Sequence, residues 1–390
     1  MSRYTAVLIN LVFILISGIV SAQNTAIESC QHQSCIAVVD SGSTGSRLSI
    51  YSFDKNTKDN PTKIRLIWGT KVTPGLAAIS LTTDALDKYL SDLLDVSPVK
   101  NMPIYFYSTA GMRFLSEAEQ KKYYKAIQDW FAKKKQWTLL EAKTLTGQEE
   151  GLYSWLSVNY LLAVFKHAKP PVGVMDMGGA SVQITFPVKN TSKIAADDLV
   201  KISIYGVDYT VFSHSFFKLG INQVIGQFSN TKSCFPQNYK LPNSTIAHGN
   251  AKQCHSNMTQ LVNKQHRVER YVKPAIANNP VGTWYAINAF SKLVFNKPFE
   301  FKNDELTGKT LLDQAERRIC EKNWHTIKHQ HSNNKFFPLY CLQAAYYYTL
   351  IVDGYGVNPQ NTVHFLPEST NISWTLGVVL CKGGMQNCKK

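Results

Sequence analysis

The chain has 390 residues, 44% hydrophobic, 12% aromatic and 18% charged. That is enough apolar material for two ordinary domains, which excludes a disordered chain and argues against one small module. Formal charge is +15, but basic residues such as Lys133, Lys134, Lys135, Lys322 and Lys328 are scattered, with no zinc-finger spacing or basic zipper, so nucleic acid is not an expected partner.

Three uses remain for the basic surplus: a solvated surface, attraction of polyphosphate substrates, or weak binding to anionic surfaces. Residues 1–22 read as a secretory signal, with Arg3, an apolar run over 6–20 and the small-residue exit Val20-Ser21-Ala22. The expectation is a secreted or periplasmic protein cut after Ala22. No later stretch reaches the ~18 apolar residues needed to cross a bilayer, so no stable membrane insertion is expected once the signal is gone; left in place, the leader would act as an anchor. The 8 cysteines all follow it, and an even number in an exported chain favours disulfides over metal sites. Pairing neighbours, one choice among many, joins Cys30 to Cys35, Cys234 to Cys254, Cys320 to Cys341 and Cys381 to Cys388.

From Cys35 the text runs IAVVD, a buried strand, then the small-residue loop SGSTGS, then RLSIYSF with strand alternation. LTTDALDKYLSDLL has helical spacing, MPIYFYST is a strand ending in the loop AGMR, and Ser116 with Glu119 forms a capping box opening SEAEQKKYYKAIQDWFAKK. WTLLEAKTL is strand-like and GLYSWLSVNYLLAVF helical. Alternating strands and helices indicate an α/β lobe. After Pro171 the strand VGVMD, the loop MGGAS and the strand VQITF repeat the first hairpin: DSGSTGSRLSIY and DMGGASVQITF share an Asp closing the first strand, a Gly two residues later and small residues through the turn. From about 190 to 370 the pattern is less legible.

A loop without large side chains lets successive backbone N–H groups point into one concavity that holds phosphate oxygens. An Asp at the strand end beside it holds a hydrated Mg²⁺ or Ca²⁺. Two such hairpins facing each other would clamp a polyphosphate and its metal; a lone Gly/Ser turn would carry no such meaning, and the duplication with matching Asp40 and Asp176 is what gives it one. Arg113, in the loop after MPIYFYST, and Arg47, opening the strand after the first loop, suit bidentate phosphate contact; each by itself reads more often as a surface ion-pair partner, and it is their places at loop and strand ends that raise them together. In LTGQEEG, Thr146 and Glu149 stand at capping-box spacing, which leaves Glu150 without a structural task and suited to act as a general base. The bland alternative makes both acids complements of the helix dipole.

The segments VVDSGSTGSR, YSTAGMR, LTGQEEG, MDMGGASVQITF and, more loosely, SWTLG together resemble, in order, the five apyrase-conserved regions of the ecto-nucleoside triphosphate diphosphohydrolases, the GDA1/CD39 family. KVTPGL, with Pro74 and Gly75, also looks like a family segment. The resemblance implies an α/β, actin-like fold of two RNase H-like lobes with the active site in the interlobe cleft. The expected division is lobe I over 23–150, with 375–390 returning to it, and lobe II over 151–374. It implies hydrolysis of nucleoside tri- and diphosphates by direct attack of water. Asp40 and Asp176 would hold the cation, Mg²⁺ or Ca²⁺ with Mn²⁺ a third choice, largely through its waters. Ser43, Thr44, Gly45 and the Gly178, Gly179, Ala180 backbone would cradle phosphate, with Arg47 and Arg113 neutralising charge. Glu150 matches the catalytic base, and Ser181 and Gln183 the residues that orient water; Thr109 and Asn159 would contact phosphate or order the base. Tyr346, Tyr347, Tyr348 and Trp374 are candidates for stacking the nucleobase, against the plainer reading of core aromatics. Lacking a second hydrophobic terminus, the chain looks closest to soluble bacterial members.

Two other readings compete. A kinase or chaperone of the same superfold is disfavoured by the export signal and the even cysteine count. A basic nucleotide-binding or adhesion protein without catalysis is separated by phosphate release from ATP with and without a divalent ion.

Overall fold

Residues 34–55 fold as an antiparallel hairpin because a continuous apolar run and an alternating one flank a turn rich in Gly and Ser, and the rest of each sheet grows outward from such a hairpin. The computed structural model describes residues 23–301, 305–330, 333–370, 372–384 and 388; the expected leader over 1–22 lies outside the described residues. The chain divides into two compact units, one from residues up to Thr146 plus those from Thr375 onward, the other over Gly147–Trp374.

In the first unit, β1 (Ser34–Ser41) pairs antiparallel with β2 (Ser46–Lys55), and β2 with β3 (Pro61–Val72). On the other side β4 (Pro103–Ser108) and β5 (Thr138–Thr144) add in parallel, giving the order β3-β2-β1-β4-β5. Parallel neighbours need crossovers, and two helices supply them. Helix α1 (Thr83–Leu94) is capped by the Thr82 side chain accepting from the Ala85 N–H; α2 (Glu117–Lys134) opens with the expected Ser116–Glu119 capping box. Their apolar faces, with Leu86, Leu90, Leu93, Ile127 and Phe131, form one core with Ala37, Val39, Leu48 and Ile50 of the sheet. Strand β3 escapes the alternation signal because it lies at the edge, largely exposed and carrying Lys63, Arg65 and Lys71, charges that blunt an open edge. The helix Trp374–Lys382 returns to this unit through a buried hydrogen bond between the Thr375 and Tyr51 hydroxyls, 2.7 Å apart.

The second unit opens with α3 (Gly147–Leu161) and is built on β6 (Gly173–Met177), which pairs antiparallel with β7 (Ser181–Pro187). Beyond β7 lie β9 (Val207–Phe217) and β8 (Leu199–Ile204), both antiparallel. On the other side β10 (Trp284–Asn288) and β12 (Thr362–His364) are parallel, with β11 (Glu305–Thr307) closing the edge. Within the order β11-β12-β10-β6-β7-β9-β8, the five strands β9-β7-β6-β10-β12 repeat the sequence of directions seen in β3-β2-β1-β4-β5. The hairpin duplication visible in the sequence is thus the visible part of a duplicated sheet.

Four disulfides join the cysteine neighbours as the short-loop pairing predicts, with Cα separations of 5.5, 4.9, 5.2 and 5.2 Å. Among the described residues no helix is long and apolar enough to cross a membrane.

Candidate active site

In the first unit the turn after Asp40 is closed by the Gly42 N–H donating to the Gly45 carbonyl at 3.0 Å, and Asp40 stands opposite Arg47 in the ladder. Two segments that are distant in sequence reach this turn. The Thr109 N–H donates to the Ser41 carbonyl at 3.0 Å. A Cβ on Gly111 would lie 2.8 Å from Ser43 Cα, and one on Gly75 2.6 Å from the Gly42 carbonyl; only residues without side chains permit that approach. Ser43 and Thr44 are exposed at the tip, while Gly45 is buried. Arg113 is oriented by its Nε–H donating to the Leu145 carbonyl at 3.1 Å. Arg47 is 58% exposed and 3.9 Å from the Asp40 carboxylate, an ion pair worth little by itself.

The second hairpin closes in the same way, the Gly178 N–H donating to the Ser181 carbonyl at 3.0 Å, and Asp176 stands opposite Gln183 as Asp40 does opposite Arg47. The carbonyls of Gly178, Gly179 and Ala180 accept from the N–H groups of Ile221, Asn222 and Lys218 at 3.0, 3.0 and 2.8 Å. In a trans peptide the following N–H points opposite to the carbonyl, so the Gly179 and Ala180 N–H groups are turned away from α4 (Ile221–Phe228), the arrangement a phosphate cradle requires. Gly220 makes this contact possible, since a Cβ there would sit 2.3 Å from the Ala180 nitrogen.

Glu150 lies in the first turn of α3, only 6% exposed. Gly151 lets the helix settle on the sheet, because a Cβ there would come within 2.8 Å of both the Thr185 and Ser213 hydroxyls. The Gln183 amide then donates to Glu150 Oε2 at 3.3 Å, and also faces Ser181 Oγ at 2.7 Å and Ser215 Oγ at 3.0 Å. The amide has two hydrogens for these three oxygens, so they share it, with Glu150 at the longest distance. Gln183 Oε1 is buried and has no hydrogen-bond partner among the described residues. An acceptor in that state beside a carboxylate suits a bound water.

Asp176 is 3% exposed, and burial pushes its carboxyl above the usual carboxylate range, against hydrogen bonds from Ser154 Oγ at 2.5 Å and Asn288 Nδ2 at 2.6 Å. Two neutral donors do not offset the loss of water around a full charge. Among the described residues no group of three acids, histidines or cysteines stands together. The donor set therefore fits a hard cation that takes most of its oxygens from water and phosphate, and does not fit an all-protein cage.

Other expected residues need correction. Tyr346 and Tyr347 are 0% and 1% exposed, packed in the second unit's core with their hydroxyls donating to the Leu219 and Ala289 carbonyls. Rings with no open face cannot stack a nucleobase, and the core reading holds for both. Trp374, 4% exposed, is stacked on Tyr153 instead, and Tyr348 sets its ring edge against His255. Asn159 is fully buried, its amide tied to the Trp155 carbonyl and to both polar groups of the Val172 backbone, so its side chain is committed to joining α3 to the approach of β6. Ser154, Ser215, Gly220 and Asn288 were not among the expected residues. Only the regular Ser-x-Ser of SHSFF offered a signal; the others depend on chain brought in from far away.

Two mixed sheets that share one five-strand pattern of directions, each with its hairpin loop at the end of a central strand, define an actin-like α/β protein. Solved structures agree. A Ppx/GppA family member from Aquifex aeolicus has a TM-score of 0.53 at 15% identity, covering 90% of this chain and 97% of its own. A nucleoside triphosphate hydrolase from Neospora caninum has a TM-score of 0.52 at 15% identity, covering 94% of this chain and 96% of its own. The model of the GDA1/CD39 (nucleoside phosphatase) family matches residues 26–390, and the chain belongs to that family. The rat protein named ectonucleoside triphosphate diphosphohydrolase 1 is 25% identical over 88% of this chain and 80% of its own length.

Proposed function

We propose that this nucleoside phosphatase removes terminal phosphates from nucleoside tri- and diphosphates by direct attack of a water that Glu150 deprotonates. The observation that carries this reading is the buried contact of Gln183 with Glu150, beside a Gln183 carbonyl that has no partner among the described residues. Glu150 takes the proton; Ser181 and Gln183 hold the water in line with the phosphorus, and positioning of this kind supplies most of what phosphoryl transfer needs. Ser43, Thr44 and Gly45, and likewise the turn Gly178, Gly179 and Ala180, bind phosphate oxygens through hydroxyl donors and backbone N–H groups, those of Gly179 and Ala180 in the second turn, since the Gly178 N–H closes the turn on Ser181. Thr109 sits where it braces the first turn, and Arg47 and Arg113 meet the charge that builds on the phosphoryl oxygens. Asp40 and Asp176 would hold a divalent cation, Mg²⁺, Ca²⁺ or Mn²⁺, largely through its waters; when bound, such an ion would neutralise phosphate charge. The leader, the four disulfides and the family's ecto-enzymes support export to an oxidising compartment.

The test is phosphate release from ATP and ADP with Mg²⁺ or Ca²⁺ against a chelator. Glu150→Gln keeps the shape and the hydrogen bond but removes the base, so kcat falls by about 10²–10⁴ while a non-hydrolysable ATP analogue binds as before. Full turnover in E150Q removes Glu150 from the base role. Absence of release under every divalent ion favours a binding protein without catalysis.

A further inference from the structure

Asp176 is gripped on both sides. Ser154 on α3 donates to Oδ2 at 2.5 Å, and Asn288 at the end of β10 donates to Oδ1 at 2.6 Å. The carboxylate cannot turn about its own bond without losing one of the two, and each oxygen has one lone pair already committed. The grip is built at some expense to the backbone. Asn288 sits at φ 61°, ψ −120°, a conformation that favours glycine. The Ser291 hydroxyl donates to the Asn288 carbonyl at 2.7 Å and steadies that corner. Glycine would fit the corner without strain and yet has no amide to offer, so the side chain explains the residue better than the backbone does.

We propose that Ser154 and Asn288 are positioning residues that hold Asp176 as a fixed acceptor for the hydration shell of a divalent cation, and so make the site favour Mg²⁺ over Ca²⁺. The inference rests on the assignment of Asp176 to the cation made above. Ca²⁺ accepts 6–8 oxygens in loose geometry and gains from carboxylates that swing into bidentate contact, whereas Mg²⁺ demands octahedral order and keeps its waters. A carboxylate pinned through both oxygens is poorly placed to chelate and well placed to receive hydrogen bonds from ordered metal-bound water. Residues that orient a cation's partner from behind commonly change its affinity by 10–100-fold.

Mg²⁺ and Ca²⁺ are titrated calorimetrically into the purified chain saturated with a non-hydrolysable ATP analogue, for the wild type, Ser154→Ala, Asn288→Gly and Asp176→Asn. The expected result is tighter Mg²⁺ than Ca²⁺ binding in the wild type. In S154A and N288G, Mg²⁺ binding weakens by about tenfold and Ca²⁺ binding by less than about threefold. In turnover, the Mg²⁺ concentration for half-maximal rate rises by the same factor while kcat at saturating Mg²⁺ holds. N288G also serves as the folding control, because relief of the strained corner keeps its melting temperature in chelator at or above that of the wild type. Equal weakening of both cations, or an unchanged Mg²⁺ to Ca²⁺ ratio, overturns the positioning role. If D176N binds Mg²⁺ like the wild type, the cation assignment itself fails; if D176N loses binding and the other two keep the wild-type ratio, the positioning role alone fails.

Discussion

Asp176 illustrates what single residues contribute. Buried and raised above the usual carboxylate range by desolvation, it opposes folding when charged. Asp176→Asn in chelator removes that charge and is expected to raise the melting temperature by roughly 2–6 °C, on a scale of about 2–4 °C per kcal/mol, while phosphate release in Mg²⁺ collapses. Scanning fluorimetry beside the activity assay reads both; a lower melting temperature would show that the two hydrogen bonds outweigh desolvation. Asp40, Asp176 and Glu150 could be singled out from the sequence because the signal that marks them is local: an acid at a strand end before a small-residue turn, and an acid beside a capping pattern. Tyr346 and Tyr347 could not be read in that way. An aromatic run on a helix looks alike whether it faces a core or a ligand, and only their burial among side chains from other segments decides.

Elements show the same division. The capping box at Ser116 and Glu119 was readable because both partners lie within one turn. Strands β8 to β12 were not, being short or interrupted by polar residues: Ser213 and Ser215 on β9 break the apolar alternation because they meet α3 and Gln183, not a hydrocarbon core. Helix α4 offers a paired test. Gly220→Ala drives a methyl into the Gly179–Ser181 backbone, at separations of 2.3 to 2.4 Å. The expected cost is about 1–3 kcal/mol with displacement of the loop and loss of turnover. Gly226→Ala, on the same helix with nothing within 4 Å, gains about 0.5–1 kcal/mol of helix propensity and leaves turnover alone. Denaturant unfolding of the two variants measures the difference, and equal stabilities would refute the steric account of the loop.

For the molecule as a whole, the disulfides and the paired aspartates make separate predictions. Replacing Cys234 and Cys254 together by Ala releases a loop spanning 20 residues and is expected to lower stability by about 3 kcal/mol, measured by denaturant midpoint. If Asp40 and Asp176 serve one cation, the double Asn variant loses no more turnover than the worse single variant; additive losses show two independent roles. Chain order alone determined the duplicated hairpin, the α/β class and the family, because all of these are written in near-neighbour spacing and in motifs of a few residues, whereas the cysteine pairing, one choice among many in the sequence, was settled by the fold. Tertiary structure decided which hydroxyls and amides hold Asp176 and Gln183, which glycines admit another backbone, and which aromatics belong to the core. Those facts depend on burial and on contacts between residues far apart in the chain, for which a linear pattern carries no distance.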